Sequence, residues 1–427
     1  MEGRKALMVE HRLKNGLRVV GEYMPGFSSV SMGVWIGAGS VYEQGAGSGS
    51  AHFIEHMLFK GTGRRTASDI AEQMDAVGGN LNAFTGKECT CFYGRVLARD
   101  VEVLTDVLAD MIADPKLDRD DLEREKGVVL EEISMTEDTP EDLVTETANS
   151  LFYEGDPLER PILGTAGTVR GFDRGMLLGY MQSRYCAQNA VVSVAGAFEE
   201  DKLIALLEKC FEGMPGGKAA PVEFSNHTPA RRLRLINKDI EQVHICMCLP
   251  GFRKDTPESY AQLVFSNAFG GSMSSRLFQR IREQMGLAYS VYAYPTAYPL
   301  SGCLTLYAGA GRENALDVAR LMLEEADTAL KEGLSIEELS RAKQQLISSY
   351  LMSRESTAAR ASALGRAELV SSRLLTEAEV IERIESVSAD DIAAILPRVF
   401  GGDDISVAAV GRLDGAEKGF ERLILKK

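Results

Sequence analysis

The chain has 427 residues, with 47 Lys and Arg against 62 Asp and Glu, a formal charge of −15. At roughly 100–200 residues per domain, that length predicts two to four domains able to bury sizeable cores. Apolar residues at 45% and charged residues at 26% exclude a disordered chain, and the acidic balance argues against non-specific binding to phosphate backbones.

No apolar run reaches the roughly 18 residues of a membrane span, and residues 1–11 lack the apolar stretch of a secretory signal. Seven cysteines, an odd number at irregular spacings, make no disulfide framework, so the expected location is the reducing cytoplasm.

Residues 17–23 and 29–37, rich in Val, Ile and aromatics and bounded by Gly and Pro, read as strands. The Gly/Ser-rich loop 45–50 leads into 51–59, which has helical apolar spacing. Ser68 is a candidate N-cap for a helix over 69–76 that Gly78-Gly79 ends. Residues 81–84 and 90–96 read as a hairpin around Gly86-Lys87. Helices are expected over 101–112 and 119–134, the second opened by Asp118, then a strand over 190–196 and a helix over 201–211. The Gly- and Pro-containing stretch 213–229 is a linker candidate. Beyond it come a strand over 242–249, a helix over 258–269, a loop at 270–272, a strand over 303–310, and helices over 314–331 and 335–352. Cys89 and Cys91, and Cys246 and Cys248, alternate along strands and read as small buried hydrophobes rather than ligands. The basic patch Arg231-Arg232-Leu233-Arg234 reads as solvated charge at a domain boundary.

The second half echoes the first. Phe92-Tyr93-Gly94 parallels Leu306-Tyr307-Ala308, and Leu122-Glu123-Arg124-Glu125-Lys126 parallels Leu339-Ser340-Arg341-Ala342-Lys343. A period of about 215 residues is far too long for a solenoid and reads as duplication of one α+β domain. The expected division is 1–215, a linker at 216–231, and 232–427.

The chemical signal is His52-Phe53-Ile54-Glu55-His56. Random placement of 5 His and 39 Glu in this chain predicts about 0.005 such patterns. Residues i, i+3 and i+4 share a helix face, so His52, Glu55 and His56 project together. Two imidazoles one turn apart can bind one Zn²⁺ with the glutamate beside it, the inverzincin motif. Catalytic zinc takes a third protein ligand and keeps one position open. The acidic helix after Asp118 is the place to look. Glu125 and Glu132 lie two turns apart on one face and Glu131 points about 100° away, but spacing does not select among them.

The segment Gly49-Ser50-Ala51-His52-Phe53-Ile54-Glu55-His56-Met57-Leu58-Phe59-Lys60-Gly61-Thr62 resembles the active-site helix of the pitrilysin/insulinase zinc-peptidase family, most closely the branch of the mitochondrial processing peptidase β-subunit and its bacterial relatives. In that family the third ligand is a Glu about 76 residues after the second His, with another Glu seven before it. The resemblance therefore implies Glu132 as ligand and Glu125 as the carboxylate behind the ligands. Gly78-Gly79-Asn80-Leu81-Asn82-Ala83-Phe84-Thr85 is similar to the family's edge strand, where substrate adds as an extra strand, implying contacts from Asn82, Ala83 and Phe84. The stretch 277–290 looks like the family's Arg/Tyr segment, which holds substrate and its developing oxyanion. It implies Tyr289 with either Arg282, seven residues before it, or Arg280, the better match when anchored on Glu283-Gln284, and the choice stays open. At an offset of 217, His52, Glu55 and His56 fall on Phe269, Ser272 and Met273, and Glu125 and Glu132 on Ala342 and Ser349, so the second copy has no metal set.

The resemblance implies an α+β fold: two homologous domains of duplicated origin, each an antiparallel-rich sheet packed with helices, arranged as a clamshell. It also implies a zinc endopeptidase with one Zn²⁺ per chain, in which Glu55 takes the proton of the attacking water. The rival readings are a catalytically inactive structural or regulatory subunit of the same fold, and a peptide-binding chamber with structural zinc. Retention of an intact base beside only three ligands argues against both, since structural zinc sites usually close with four. Peptide is the expected partner, in a homodimer or a heterodimer with a non-catalytic homologue. No nucleotide loop or organic-cofactor motif is present in the sequence, and neither nucleic acid nor membrane is an expected partner.

Overall fold

The computed structural model describes residues 7–219, 228–371 and 373–425. Of the expected linker 216–231, residues 220–227 lie outside the described residues.

The fold is mixed α and β, with two sheets. The first contains β1 (Leu7–Arg12), β2 (Arg18–Tyr23), β3 (Ser29–Ile36), β4 (Asn80–Thr85), β5 (Thr90–Leu97) and β6 (Ala190–Gly196) in the order β1-β2-β6-β3-β5-β4. The second contains β7 (Arg231–Asn237), β8 (Gln242–Pro250), β9 (Ala288–Ala297), β10 (Gly302–Gly311) and β11 (Ile405–Gly411) in the order β7-β11-β8-β10-β9. Apart from β1, the orders superimpose strand for strand. Each sheet has one parallel pair, β2 with β6 and β7 with β11, followed by antiparallel pairs to a free hairpin edge. The echo in the sequence is therefore an echo in topology.

The chain divides into two compact units, neither contiguous in sequence. One comprises Met1–Ile133, Arg160–Glu223 and Met352–Leu374; the other Ser134–Glu159, Phe224–Leu351 and Leu375–Lys427. The expected cut between 215 and 232 misses a reciprocal exchange. The helix Pro140–Phe152 packs on β11, β8 and β7, while the helix Thr357–Val370 packs on β6, β3 and β2. Periodicity shows that such a helix has an apolar face, but the sheet that covers it is set by long-range packing.

In the first unit α1 (Ser50–Leu58), α2 (Ala67–Ala76), α3 (Val101–Ala113) and most of α4 (Arg119–Asp138) accompany the sheet. Phe53, Ile54, Met57 and Leu58 of α1 are fully buried in the core with Val34, Phe92, Leu104 and Leu108. Each contributes about 1.5–3 kcal/mol for full burial, which holds the opposite face of α1, with His52, Glu55 and His56, toward its polar surroundings. A separate core fills the second unit, around Ile245, Phe265, Phe269, Leu306 and Val407.

Several boundaries differ from expectation. Thr66, not Ser68, caps α2: its hydroxyl accepts from the Asp69 amide and Asp69 accepts from the Thr66 amide, a reciprocal capping box. Helix α4 continues past residue 134 to Asp138, and Pro140 opens the next helix at the position where a missing N–H is harmless. Arg232 is not solvated charge: it lies in β7 with its side chain mostly covered, paired to Glu154 at 2.9 Å, while Arg231 pairs with Asp403 at 3.1 Å. The cysteines 89, 91, 246 and 248 are all buried. No helix among the described residues is long and apolar enough to cross a membrane.

Candidate metal centre

Helix α1 begins at Gly49, whose φ of 92° is left-handed and whose position has no room for a side chain, since a Cβ would sit 2.7 Å from the Leu163 carbonyl oxygen. From this start, one turn separates His52 from His56 and both imidazoles face α4. Glu132 Oε2 lies 3.5 Å from His52 Nε2 and 3.4 Å from His56 Nε2. The three groups offer ligand atoms all within 4.8 Å of one another, and they form the one such cluster among the described residues.

Those separations test the fit to zinc. Bonds of about 2.0–2.1 Å in a tetrahedron place neighbouring ligand atoms about 3.3–3.4 Å apart. The carboxylate oxygen meets both nitrogens at nearly that spacing, and two imidazoles with one carboxylate are a donor set zinc accepts. The His52 ring is nearly buried, at 9% exposure. Burial first, and the neighbouring His56 second, hold its pKa down at about 4, so at neutral pH its lone pair is available to a metal.

Behind this trio, Glu125 is buried on α4 one face-length from Glu132. Its Oε2 lies 3.1 Å from His56 Nδ1 and its Oε1 lies 2.5 Å from Lys60 Nζ. An acceptor on Nδ1 leaves Nε2 as the metal-facing nitrogen and orients the ring. Glu131, one residue from Glu132, is exposed and takes no part.

Glu55 stands apart from the ligand cluster. Its Oε2 accepts from the Thr85 hydroxyl at 2.5 Å, which ties the side chain to the end of β4. Burial raises its pKa, with the Thr85 bond pulling the other way. A half-buried carboxylate with raised proton affinity, held beside a metal trio without joining it, is suited to accept and return a proton.

The implied substrate strand is β4. It is the last strand of its sheet, paired among the described residues with β5 alone, and Asn80, Asn82 and Phe84 are exposed in strict alternation. The Ala83 N–H donates to Asn82 Oδ1 at 2.8 Å, so a side chain covers a donor that an incoming strand could use. Beside β4 is a cavity of about 390 Å³ lined in part by Trp35, Phe84, Cys91 and Tyr93.

Arg280, Arg282 and Tyr289 lie in the second unit. Arg280 pairs with Glu324 at 3.0 Å and with Glu325. Arg282 instead places its guanidinium 4.7 Å from the Phe278 ring centre and 5.5 Å from that of Tyr289, which is 74% exposed. Of the two arginines, Arg282 is the one associated with the tyrosine.

Sequence reasoning missed Lys60, Thr85 and Glu43. Lys60 lies two residues past the end of α1, so helical spacing does not place it, and Thr85 and Glu43 carry no local signal.

Residues 18–166 match the model of the insulinase peptidase family M16, and residues 171–346 match that of the peptidase M16 inactive domain. An uncharacterized zinc protease of Bacillus subtilis, YmxG, is 38% identical, over 93% of this chain and 97% of its own length. One from Streptomyces coelicolor is 36% identical, over 91% of this chain and 86% of its own. Among solved structures, a peptidase M16 inactive domain from Pseudomonas fluorescens has a TM-score of 0.88 at 20% identity, covering 95% of this chain and 98% of its own. A protease from Helicobacter pylori has a TM-score of 0.87 at 19% identity, covering 95% and 99%.

Proposed function

The chain belongs to peptidase family M16, the insulinase family, and from that membership we propose that it is a zinc metalloendopeptidase acting on peptides and on unfolded or leader segments. The observation that carries the reading is the convergence of His52 Nε2, His56 Nε2 and Glu132 Oε2, with Glu55 next to them on the same helix face.

His52, His56 and Glu132 would hold a zinc ion, which when bound would supply Lewis acidity toward water and the scissile carbonyl. Glu55 takes the proton of the attacking water and gives it to the leaving amine, and the Thr85 hydroxyl keeps its carboxylate aimed. Substrate pairs with the free edge of β4, where Ala83 N–H exchanges Asn82 Oδ1 for a substrate carbonyl. Tyr289, with Arg282 beside it, belongs to the same reading as a contact to substrate. The second copy carries Phe269, Ser272 and Met273 at the positions of His52, Glu55 and His56, so one centre per chain is expected. Pairing as a homodimer, or with a non-catalytic homologue, and a cytoplasmic location are part of the proposal.

The test pairs zinc content with cleavage of a mixed peptide pool read by mass spectrometry, on the wild type and on Glu55→Gln. The expected result is about one zinc per chain in both, with cleavage by the wild type alone. Zinc without cleavage by the wild type would move the inactive-subunit reading to first place. No bound metal would remove the basis of the proposal.

A further inference from the structure

Glu43 is a buried carboxylate, 1% exposed, on the loop that precedes α1. One of its oxygens accepts from the Gly49 N–H at 2.6 Å and the other from the Ala51 N–H at 2.8 Å. A helix leaves its first N–H groups without partners inside the helix. The N-cap residue here is a glycine with no side chain to offer, held at a φ of 92° where a Cβ would meet the Leu163 carbonyl oxygen. Capping is therefore supplied from six residues upstream.

The loop that presents Glu43 is pinned along its length. Arg184 Nε donates to the Gly37 carbonyl at 2.8 Å, the Tyr180 hydroxyl to that of Gly39 at 3.0 Å, and Arg160 Nη1 to that of Val41 at 2.9 Å. The Val41 amide donates to the Lys87 carbonyl at 3.0 Å, and the Arg184 guanidinium covers the Tyr42 ring at 3.7 Å.

The two histidines differ in what orients them. His56 lies in the second turn of α1 and has Glu125 on its Nδ1. His52 lies in the first turn, directly after Ala51, and its buried Nδ1 has no hydrogen-bond partner among the described residues. The direction of the His52 ring thus depends on the backbone of the turn that Glu43 grips. We infer that Glu43 is a positioning residue for the metal centre: its carboxylate fixes the first turn of α1 and so sets His52 Nε2 against His56 and Glu132. This rests on the metal-site reading above. It assigns to a backbone clamp the task that a side-chain acceptor performs for His56.

The test uses the full-length metal-free protein, with Co²⁺ as the probe, and the variant Glu43→Gln, whose amide group opposes one of the two N–H donors. Affinity is read by chelator competition, ligand geometry by the visible absorption of bound Co²⁺, and the clamp itself by amide hydrogen exchange in α1. The expected variant is folded by circular dichroism, binds Co²⁺ about 10–100-fold more weakly, shows altered absorption bands, and exchanges the Gly49 and Ala51 amides faster. If Glu43→Gln does not fold, Glu43→Asp, which is one methylene short of spanning both amides, replaces it. Wild-type Co²⁺ affinity and absorption in a folded variant would overturn the inference while leaving the metal site standing. Failure of the wild type to bind Co²⁺ would overturn both.

Discussion

Glu125 joins His56 to Lys60: one carboxylate oxygen lies 3.1 Å from the imidazole Nδ1, the other 2.5 Å from the ammonium. The Glu125 side chain is only 6% exposed and that of Lys60 33%. Replacing Lys60 by Met leaves the carboxylate with one partner fewer in a covered position. Zinc affinity should fall about 10–100-fold, and stability by about 1–3 kcal/mol, moderated because Lys60 is partly in water. Chelator competition and urea unfolding measure the two effects. An unchanged zinc affinity would show that Glu125 holds His56 without help.

The Thr85 hydroxyl donates a hydrogen bond to the Glu55 carboxylate. Thr85→Val keeps the shape of the side chain and removes the donor. We expect kcat to fall about tenfold, the loss of one hydrogen bond to a charged group, with KM and zinc content little changed. A normal kcat would mean that substrate or helix packing aims Glu55.

Ala83→Pro removes the N–H that donates to Asn82 Oδ1 on the outer side of β4. Proline is tolerated on edge strands, so zinc content should be unaffected while peptide binding weakens sharply. Cleavage with an unaltered KM would place the substrate elsewhere than on β4.

The two candidate arginines should separate by assay. Arg280→Met breaks the pairs with Glu324 and Glu325 and should cost about 1 kcal/mol of stability with activity retained. Arg282→Met should lower kcat about tenfold or more with stability retained. The opposite assignment of losses would make Arg280 the functional partner of Tyr289.

Burial pushes the Glu43 carboxyl from 4.5 up to about 7, with the Ala51 and Gly49 amides and the charges of Arg160 and Lys87 pulling the other way. Tyr180 also faces it. Between those values the folded protein binds more protons than the unfolded chain. The contribution of this group to stability is whole below about pH 4.5 and is lost as pH rises through about 7. In metal-free protein, the unfolding free energy of the wild type relative to Glu43→Gln should drop by about 1–3 kcal/mol from about pH 5 to about pH 8. A difference that is flat with pH would exclude this titration.

The hairpin of β4 and β5, strand β6 and the helices around residues 51–59 and 101–112 were legible because their signals are local: alternation, 3.6-residue spacing and bounding glycines. Strand β1 and the helix Pro140–Phe152 lie outside the expected elements, and the cap of α2 is Thr66 rather than the expected Ser68.

By itself, the sequence determined that His52, Glu55 and His56 share a face, since helix geometry settles that within five residues. It also pointed to a duplication through the residue echo near an offset of 215, and the matching strand order came from the structure. Family resemblance, not spacing, pointed to Glu132 over its acidic neighbours on α4. Only the tertiary structure decided that Glu132 meets both imidazoles, that Lys60 and Glu125 back His56, that Arg280 is bound up with Glu324 and Glu325, and that Glu43 grips the start of α1. It also decided which sheet each exchanged helix covers. These are contacts between segments tens to hundreds of residues apart. They follow from how buried faces pack and where buried charges find partners, and neither leaves a periodic trace in the chain.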